Sequence, residues 1–289
     1  MSGETQKAEC AKLKTYKIDI EGLPCPLCPN GKFVDIKRHC HNIVRFIYSE
    51  HPYEGHLVAS WFQLASGVMN VKYVSDVFDN DVMWCAPAIE YEQAKSKFHS
   101  DLITELTRFS FIWGGFESII DNIADLEYTR GPHGKISRLN YFLRKNYLQK
   151  HPIPEGYAET VEFLKLLLDN TEGYEENAYY FKPNKYCPRE IIGMKAVYQI
   201  RNLFAHGSLK FNEPVEYHYS EKHGLVRPLD IDIIQTSSRI VLLTLQMLLT
   251  LLPDHLNFIV TKQHEYLSGN GVAAYQFLQN MHLKKFKYS

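Results

Sequence analysis

The apolar positions of this chain follow a helical period over much of its length. From residue 88 to about residue 125 they recur every three to five positions, which predicts one long helix or two collinear helices with a bend near Gly114 and Gly115. The longest apolar run, 240–252, lies within a helical segment that begins at residue 231, and this favours a buried core helix. The same spacing predicts further helices at about 33–49, 135–150 and 157–170.

Two other patterns interrupt the helices. Residues 53–86 are rich in Val, Tyr and Trp and contain turn residues, so short strands are as compatible with them as a helix is. Beyond Gly207, the alternating segments LKFNEPVEYHY and LVRPLDIDI are joined by SEKHG, which predicts a β-hairpin. We therefore expect a mainly α protein, a helical bundle with an inserted hairpin.

The segment 189–210, REIIGMKAVYQIRNLFAHGSLK, predicts an amphipathic helix. A helix turns by about 100° per residue, so Arg201, Asn202 and His206 share an arc of about 140°. Gly207 follows them and predicts the C-terminal end of the helix. The opposite face is apolar and is expected to be buried; it carries Ile192, Gly193, Ala196, Val197, Ile200, Leu203 and Phe204.

Composition places few limits on function. Of the 289 residues, 45% are hydrophobic, which is enough to bury a sizeable core in one large or two small domains. The formal net charge of -1 argues against a generally basic surface, although a local basic patch could still hold a phosphate backbone. Charge alone therefore neither indicates nor excludes RNA as a ligand.

Signals for secretion or membrane insertion are missing from the sequence pattern. The N-terminal residues lack the apolar core of a signal peptide, and the apolar run 240–252 is shorter than the roughly 18 to 20 residues that span a bilayer. The cysteines are scattered apart from one close pair, which argues against a disulfide framework. We expect a cytoplasmic protein with no membrane partner.

Cys25 and Cys28 form that close pair, in GLPCPLCPNGKF. Two residues separate them and prolines flank them, which is typical of a zinc knuckle, where a tight turn points two thiolates at one metal. A closed tetrahedral site needs two more ligands, for which we select Cys40 and His41. Structural zinc and a pair of free thiols both remain open. Other residues that could complete the site are Cys10, His39, His51 and His56.

An arginine followed by a histidine four to six residues later is a weak motif, because chance produces on the order of one match in a chain of this composition. Arg45 and His51 are such a match, and no amide follows that arginine. Arg201 and His206 differ in context: an asparagine follows the arginine, a glycine follows the histidine, and a second apolar helix is predicted downstream.

In this context the chain resembles the HEPN superfamily of α-helical domains, whose hallmark is R-x4-6-H, often with Asn after the Arg and Gly after the His. Here residues 201–207 read RNLFAHG. The resemblance covers 87–289 as a HEPN-like helical domain and leaves 1–86 as a small N-terminal α+β module that holds the knuckle. It implies a metal-independent endoribonuclease, usually a homodimer, that serves in toxin or antiphage defence with an antitoxin or a phage-derived trigger as partner.

The residue types fit that chemistry. His206 can act as acid or base because an imidazole titrates near neutral pH, and Arg201 offers a permanent charge and a planar fork to phosphate oxygens. Asn202 could orient the imidazole or bind the phosphate. One helix supplies a single imidazole, so a dimer would bring together the two proton-transfer groups that RNA cleavage uses. The expected products are a 2′,3′-cyclic phosphate and a 5′-hydroxyl, with no cofactor in catalysis.

The match to the family has departures. Toxins of one branch carry a tyrosine two residues after the motif histidine, as a modification target, whereas Ser208 occupies that position here. Other members place an acidic or polar residue on an earlier helix; Glu117, in WGGFESIID, is the candidate, with a solvated helix residue as the alternative reading. Some members have lost activity, so a non-catalytic scaffold or sensor that binds RNA or nucleotide through the same residues also remains open.

Overall fold

A computed structural model of the chain describes residues 31–50, 56–75, 77, 86–121, 134–169, 171, 177–208, 215–220, 224–226, 229–251, 259–261 and 271–286. Helices predominate in this part of the chain, which confirms the mainly α prediction. The helices are α1 Ile36–Glu50, α2 His56–Gly67, α3 Ala86–Asp121, α4 Lys135–Asn146, α5 Tyr157–Asp169, α6 Asn177–Tyr180, α7 Gly193–Ala205, α8 Asp230–Thr250 and α9 Ala274–Asn280, with a 3-10 turn, Arg189–Ile191, just before α7.

The strands form two short antiparallel pairs. β1, Val215–Ser220, pairs with β2, Gly224–Val226, in the region where the sequence predicts a hairpin. The predicted second segment, 225–233, does not continue as a strand, because α8 begins at Asp230. β3, Ile259–Thr261, pairs with β4, Gly271–Ala273, which the sequence pattern does not predict.

Helix α8 lies at the centre of the fold. All but two of its 21 residues are buried, and it packs against α1, α3, α5, α7 and α9. By length and composition it is the one described helix that could cross a membrane, yet 94% of its apolar window is buried inside the protein. The prediction of a buried core helix is therefore confirmed.

Helix α3 continues as one helix of 36 residues through Gly114 and Gly115, so the first of the two predicted alternatives is correct. These glycines lie where α2 approaches α3. A Cβ atom at Gly115 would be 2.7 Å from Cζ of Phe62, and a Cβ at Gly114 would be 3.0 Å from the ring of Trp61. The two glycines therefore allow α2 to pack closely against α3. The sequence of α2 was compatible with either short strands or a helix, and the structure shows a helix.

The packed core extends across residue 86, where the sequence was divided into two parts. Ile43 of α1 belongs to the same buried apolar cluster as Leu242 of α8. Near the two ends of the chain, Phe33 and Leu283 form an isolated antiparallel bridge. The division into 1–86 and 87–289 stays a prediction, and described residues on both sides of it contribute to one core.

A polar cluster is buried in this core. The side chain of Arg239 on α8 is almost fully buried, and its Nη1 donates a hydrogen bond to Nδ1 of His39 over 2.9 Å. Its other terminal nitrogen donates to the backbone carbonyl of Val34, and its guanidinium lies over the ring of Phe33. Arg239 therefore ties the start of α1 to the central helix.

His282 extends the cluster toward the C-terminal residues. Its Nε2 lies 2.9 Å from the carbonyl oxygen of Glu155, and its Nδ1 lies 3.1 Å from Nε2 of Gln246. A carbonyl can only accept, so Nε2 of His282 carries a proton; Gln246 also donates to the carbonyl of Leu278, which fixes its amide as the donor to Nδ1. The neutral imidazole satisfies both contacts, and burial lowers its pKa to about 4.

Candidate functional site

Helix α7 buries the face that the sequence predicts. Gly193 lies at its start, where a Cβ would be 2.7 Å from Cγ2 of Val161 on α5 and 2.9 Å from Cγ2 of Ile240 on α8. This close approach fixes the helix against the core and leaves its C-terminal end at the surface. The residues buried or partly buried on this side are Ile192, Gly193, Met194, Ala196, Val197, Ile200, Leu203 and Phe204.

A Schellman motif closes the C-terminal end of α7 around its C-cap residue, His206. Gly207 has a φ of +64°, and its N–H donates to the carbonyl of Phe204 over 3.1 Å. The N–H of Ser208 donates to the carbonyl of Leu203 over 2.8 Å, which completes the motif. The predicted role of Gly207 is confirmed, and the backbone of His206 is fixed while its side chain is exposed.

The guanidinium of Arg201 lies over an aromatic ring from another helix. Its Cζ is 5.8 Å from the centre of the ring of Trp113, on α3. Trp113 is buried and stacks against Tyr198, with 6.3 Å between ring centres and 25° between the planes. A cation–π contact of this kind is worth about 0.5 to 1 kcal/mol when partly exposed. The two aromatic residues therefore position a half-buried guanidinium.

Neither aromatic residue was selected from the sequence. Tyr198 lies three positions before Arg201, a spacing that places both on one side of α7. That spacing was the available signal. Trp113 belongs to a distant segment, and only the packing of α3 against α7 reveals its role.

Asn202 links the other two motif residues. Its Oδ1 is 3.5 Å from Nη1 of Arg201, which is a long hydrogen bond, and its backbone carbonyl accepts the N–H of His206 over 2.9 Å. The structure thus brings the three selected residues together at one end of a single helix.

Glu117 lies on α3, one helical turn after Trp113 and on the same side of the helix. Its side chain is half-buried. Within the described residues it makes no ion pair with Arg201. Its place near Trp113 is compatible with an accessory function, which stays a prediction.

The predicted zinc ligands Cys25 and Cys28 lie outside the described residues. Cys40 is fully buried among the apolar residues of α1, and burial raises the pKa of its thiol to about 12. Its assignment as a third zinc ligand stays a prediction. Cys40 and Cys187 are both buried free thiols.

His41 lies in an environment that disfavours its protonation. Burial, together with the guanidinium groups of Arg38 and Arg45, lowers the pKa of its imidazole. Zinc binds the neutral imidazole, so the assignment of His41 as a ligand stays a prediction. Across the described ranges, there is no cluster of three or more His, Cys, Asp or Glu residues that could hold a metal.

No family model, curated protein or solved structure matches this chain. The candidate site accordingly rests on the geometry around α7, and the resemblance to HEPN domains rests on the motif at 201–207.

Proposed function

We propose that this protein is a metal-independent endoribonuclease of the HEPN type, with Arg201, Asn202 and His206 as its catalytic residues. The observation that carries the proposal is the arrangement at the end of α7. A fixed C-cap presents the imidazole of His206 to solvent, and Trp113 holds the guanidinium of Arg201 less than two turns away. The opposite face of the helix is buried as far as Ile200, and Leu203 and Phe204 are partly buried beyond it.

The residues divide the reaction in a simple way. The guanidinium of Arg201 binds non-bridging phosphate oxygens and stabilises the charge that builds up on phosphorus as the 2′-oxygen attacks. The imidazole of His206 transfers a proton to or from the reacting oxygens. Asn202 orients either group. The products are a 2′,3′-cyclic phosphate and a 5′-hydroxyl.

The proposal includes a homodimer. Attack by the 2′-oxygen needs a base and departure of the 5′-oxygen needs an acid, whereas one copy of α7 supplies one imidazole. Two copies that meet across a two-fold axis would supply both. In this proposal α3, α5, α7 and α8 form a HEPN-like bundle, β1 and β2 are its inserted hairpin, and Cys25 and Cys28 belong to a structural zinc knuckle. Toxin or antiphage defence is the proposed setting.

The test is incubation of the full chain with tRNA and total RNA in EDTA. We expect cleavage by the wild type and a loss of at least about a hundredfold for His206→Ala, in line with the usual contribution of general acid–base catalysis. Arg201→Lys should also lose activity, because an ammonium cannot reproduce the planar fork. Arg189→Lys is the matched control: this arginine is exposed just before α7 and makes only a long ion pair with Glu162.

Product ends and assembly complete the test. The 5′ ends should accept phosphate from a polynucleotide kinase without prior phosphatase treatment, as 5′-hydroxyl ends do. The rate per chain should fall on dilution below the dimer dissociation constant. RNA binding without cleavage by the wild type in EDTA, or equal activity of wild type and His206→Ala, would overturn the ribonuclease proposal.

One observation favours a second candidate, a non-catalytic helical scaffold or sensor that binds RNA or nucleotide. The guanidinium of Arg201 has Trp113 behind it, so its other face can stack on a base. This use requires neither a second imidazole nor a dimer. It predicts that Arg201→Lys weakens RNA binding, that His206→Ala leaves binding unchanged, and that no RNA is cut.

A further inference from the structure

Residues 68–75 belong to no helix or sheet, and their hydrogen bonds follow α3 from the end of α2 as those of an extended segment do. Every second backbone N–H of this segment donates to a side-chain hydroxyl of α3. The bonds run from Val71 to Thr104 over 2.8 Å, from Tyr73 to Ser100 over 2.9 Å and from Ser75 to Ser96 over 3.0 Å. We call Ser96, Ser100 and Thr104 the hydroxyl row.

The hydrogen bonds recur because the repeat length of the helix is close to that of the extended segment. Four residues of an α-helix rise by about 6 Å, and two residues of an extended chain span about 6.6 Å. Each hydroxyl of the row therefore meets the next alternate residue of the extended segment. The hydroxyl of Ser100 also lies 3.3 Å from the carbonyl oxygen of Tyr73, so both main-chain groups of Tyr73 face α3, as they would face a neighbouring strand.

Both ends of the extended segment are fixed. Nη2 of Arg108, whose guanidinium is buried and paired with Glu105, donates to the carbonyl of Val68 over 2.7 Å. At the other end, Oγ of Ser75 donates to the carbonyl of Glu92 over 3.1 Å. The segment is thus held straight along its inner edge.

Within the described part of the chain, the main-chain groups on the outer edge of this segment are unpaired. Successive residues of an extended chain direct their N–H and C=O groups to opposite edges, so those of Asn70, Lys72 and Val74 point away from α3. No hydrogen bond from another described residue reaches these groups, and the three side chains are exposed. The edge has the form of a sheet edge that lacks its next strand.

Exposed apolar side chains concentrate in this part of the sequence, on α2 and the segment that follows it. Among the described residues, all large exposed apolar side chains except Tyr179 lie between residues 57 and 77. Met69 and Val74 flank the outer edge, at 63% and 37% exposure. The full set is Leu57, Trp61, Leu64, Met69, Val74 and Val77.

Two lysines lie at or beside this edge. Lys72 lies on it, and Nζ of Lys37 is 3.8 Å from Sδ of Met69. Pairing with the same edge of a second copy would bring these lysines toward their own equivalents, which is unfavourable. The chain's residues 12–17, KLKTYK, carry three lysines and fit no better. An acidic strand is complementary.

We propose that the outer edge of residues 68–75 is a docking site for an extended acidic segment of another protein, which adds to it as a β-strand. Main-chain hydrogen bonds to residues 70, 72 and 74 supply the pairing, Met69 and Val74 supply apolar contact, and Lys72 selects acidic residues. The site is separate from Arg201 and His206, so it stands or falls independently of the ribonuclease proposal.

The probe is a blocked octapeptide of alternating glutamate and valine, tested on the full chain by fluorescence anisotropy. Lys72→Pro and Lys72→Ala form a matched pair: both remove the charge, but only proline removes the outward N–H, and its fixed φ suits an extended backbone. We expect Lys72→Pro to bind the peptide about tenfold more weakly than Lys72→Ala. Val74→Pro and Val74→Ala repeat the comparison at the next outward position.

Hydrogen exchange on the wild type tests the proposal without any variant. The amides of 71, 73 and 75 should exchange slowly at all times, and those of 70, 72 and 74 should become slow only when peptide is added. Slow exchange of the outward amides in the free chain would mean that the chain covers its own edge, and protection that grows with protein concentration would mean a second copy. Either result overturns the proposal, as does equal binding by the proline and alanine variants.

Discussion

The guanidinium of Arg239 donates a hydrogen bond to Nδ1 of His39 over 2.9 Å, across 200 positions of sequence. An arginine can only donate, so this nitrogen must accept and the imidazole must be neutral. Burial first, and then the positive charge of Arg239, hold the pKa of His39 well below its usual value. His282, in the same cluster, is neutral for a similar reason.

This cluster makes the protein sensitive to acid. In the unfolded chain both imidazoles bind protons near pH 6.5, whereas in the folded chain they do so only at lower pH, so the stability present above pH 6.5 is lost as the pH falls toward 4. His282 alone should account for a loss of roughly 2 kcal/mol in the free energy of unfolding between pH 7.5 and pH 5. Urea unfolding at the two pH values measures it.

His282→Gln is the variant for that measurement, because an amide can donate to the carbonyl of Glu155 and does not titrate. We expect the difference in stability between the two pH values to shrink in this variant and to stay unchanged in the exposed control His206→Gln. Equal pH dependence in the wild type and His282→Gln would show that the buried imidazole does not cause the effect.

Replacing Gly207 should cost stability through the backbone alone. Its φ of +64° is unfavourable for any residue with a Cβ, while no heavy atom lies within 4 Å of the position that a Cβ would take. We expect Gly207→Ala to lower the free energy of unfolding by about 1 kcal/mol. Gly67→Ala is the control, since Gly67 also has open space around it but no positive φ; it should be neutral. Equal effects in thermal unfolding would contradict this reading.

The two glycines of α3 should differ in their tolerance of a methyl group. A Cβ at Gly115 would press against the buried ring of Phe62, whereas a Cβ at Gly114 would meet the half-exposed ring of Trp61, which can move outward. Gly115→Ala should cost about 1 to 3 kcal/mol and Gly114→Ala less than about 1 kcal/mol. Denaturant midpoints of both variants test this, and the reverse order would show that α2 and α3 pack differently.

Trp113 should strengthen RNA binding through its contact with Arg201. Replacement by phenylalanine preserves an aromatic side chain but weakens its attraction for a guanidinium, so Trp113→Phe should weaken RNA binding by about two- to fivefold. The control is Trp61→Phe. Trp61 lies on α2 and packs against Phe111 of α3, and this variant should leave RNA binding unchanged. A loss of the same size in both variants would indicate a general loss of packing.

The zinc content of variants should distinguish Cys25 from Cys40. If the proposed knuckle holds zinc, Cys25→Ser should lower the metal content of purified protein. Cys40→Ala should leave it unchanged, because Cys40 is fully buried among the apolar side chains of the core. In the folded protein Cys40 should also resist thiol reagents. Loss of zinc on removal of Cys40 would support its assignment as a ligand.

Much of the helical architecture could be predicted because apolar residues on those helices face a core on one side. The long α3 and the buried α8 follow from that period. Helix α2 did not, since Leu57, Trp61 and Leu64 are apolar yet exposed, and they hide the period of its buried face. The sequence pattern cannot distinguish an apolar residue in the core from one on the surface.

The candidate site was predictable only where it is local. Arg201, Asn202 and His206 lie within six residues, and a glycine marks the end of their helix. Trp113 comes from a segment almost ninety positions earlier, and no periodicity connects the two. Cys40 and His41 were selected as ligands because they are adjacent in the sequence, whereas neighbouring side chains on a helix point in different directions and Cys40 faces the core.

The hydroxyl row has a consequence for how this surface can change. Its three acceptors are chemically equivalent and equally spaced, so the row alone does not distinguish the observed register from one shifted by two residues. The anchors at Val68 and Ser75 make that choice. An insertion or deletion of two residues between those anchors would keep the same side of the segment facing outward, but it would move one anchored residue by about 6.6 Å and break that anchor.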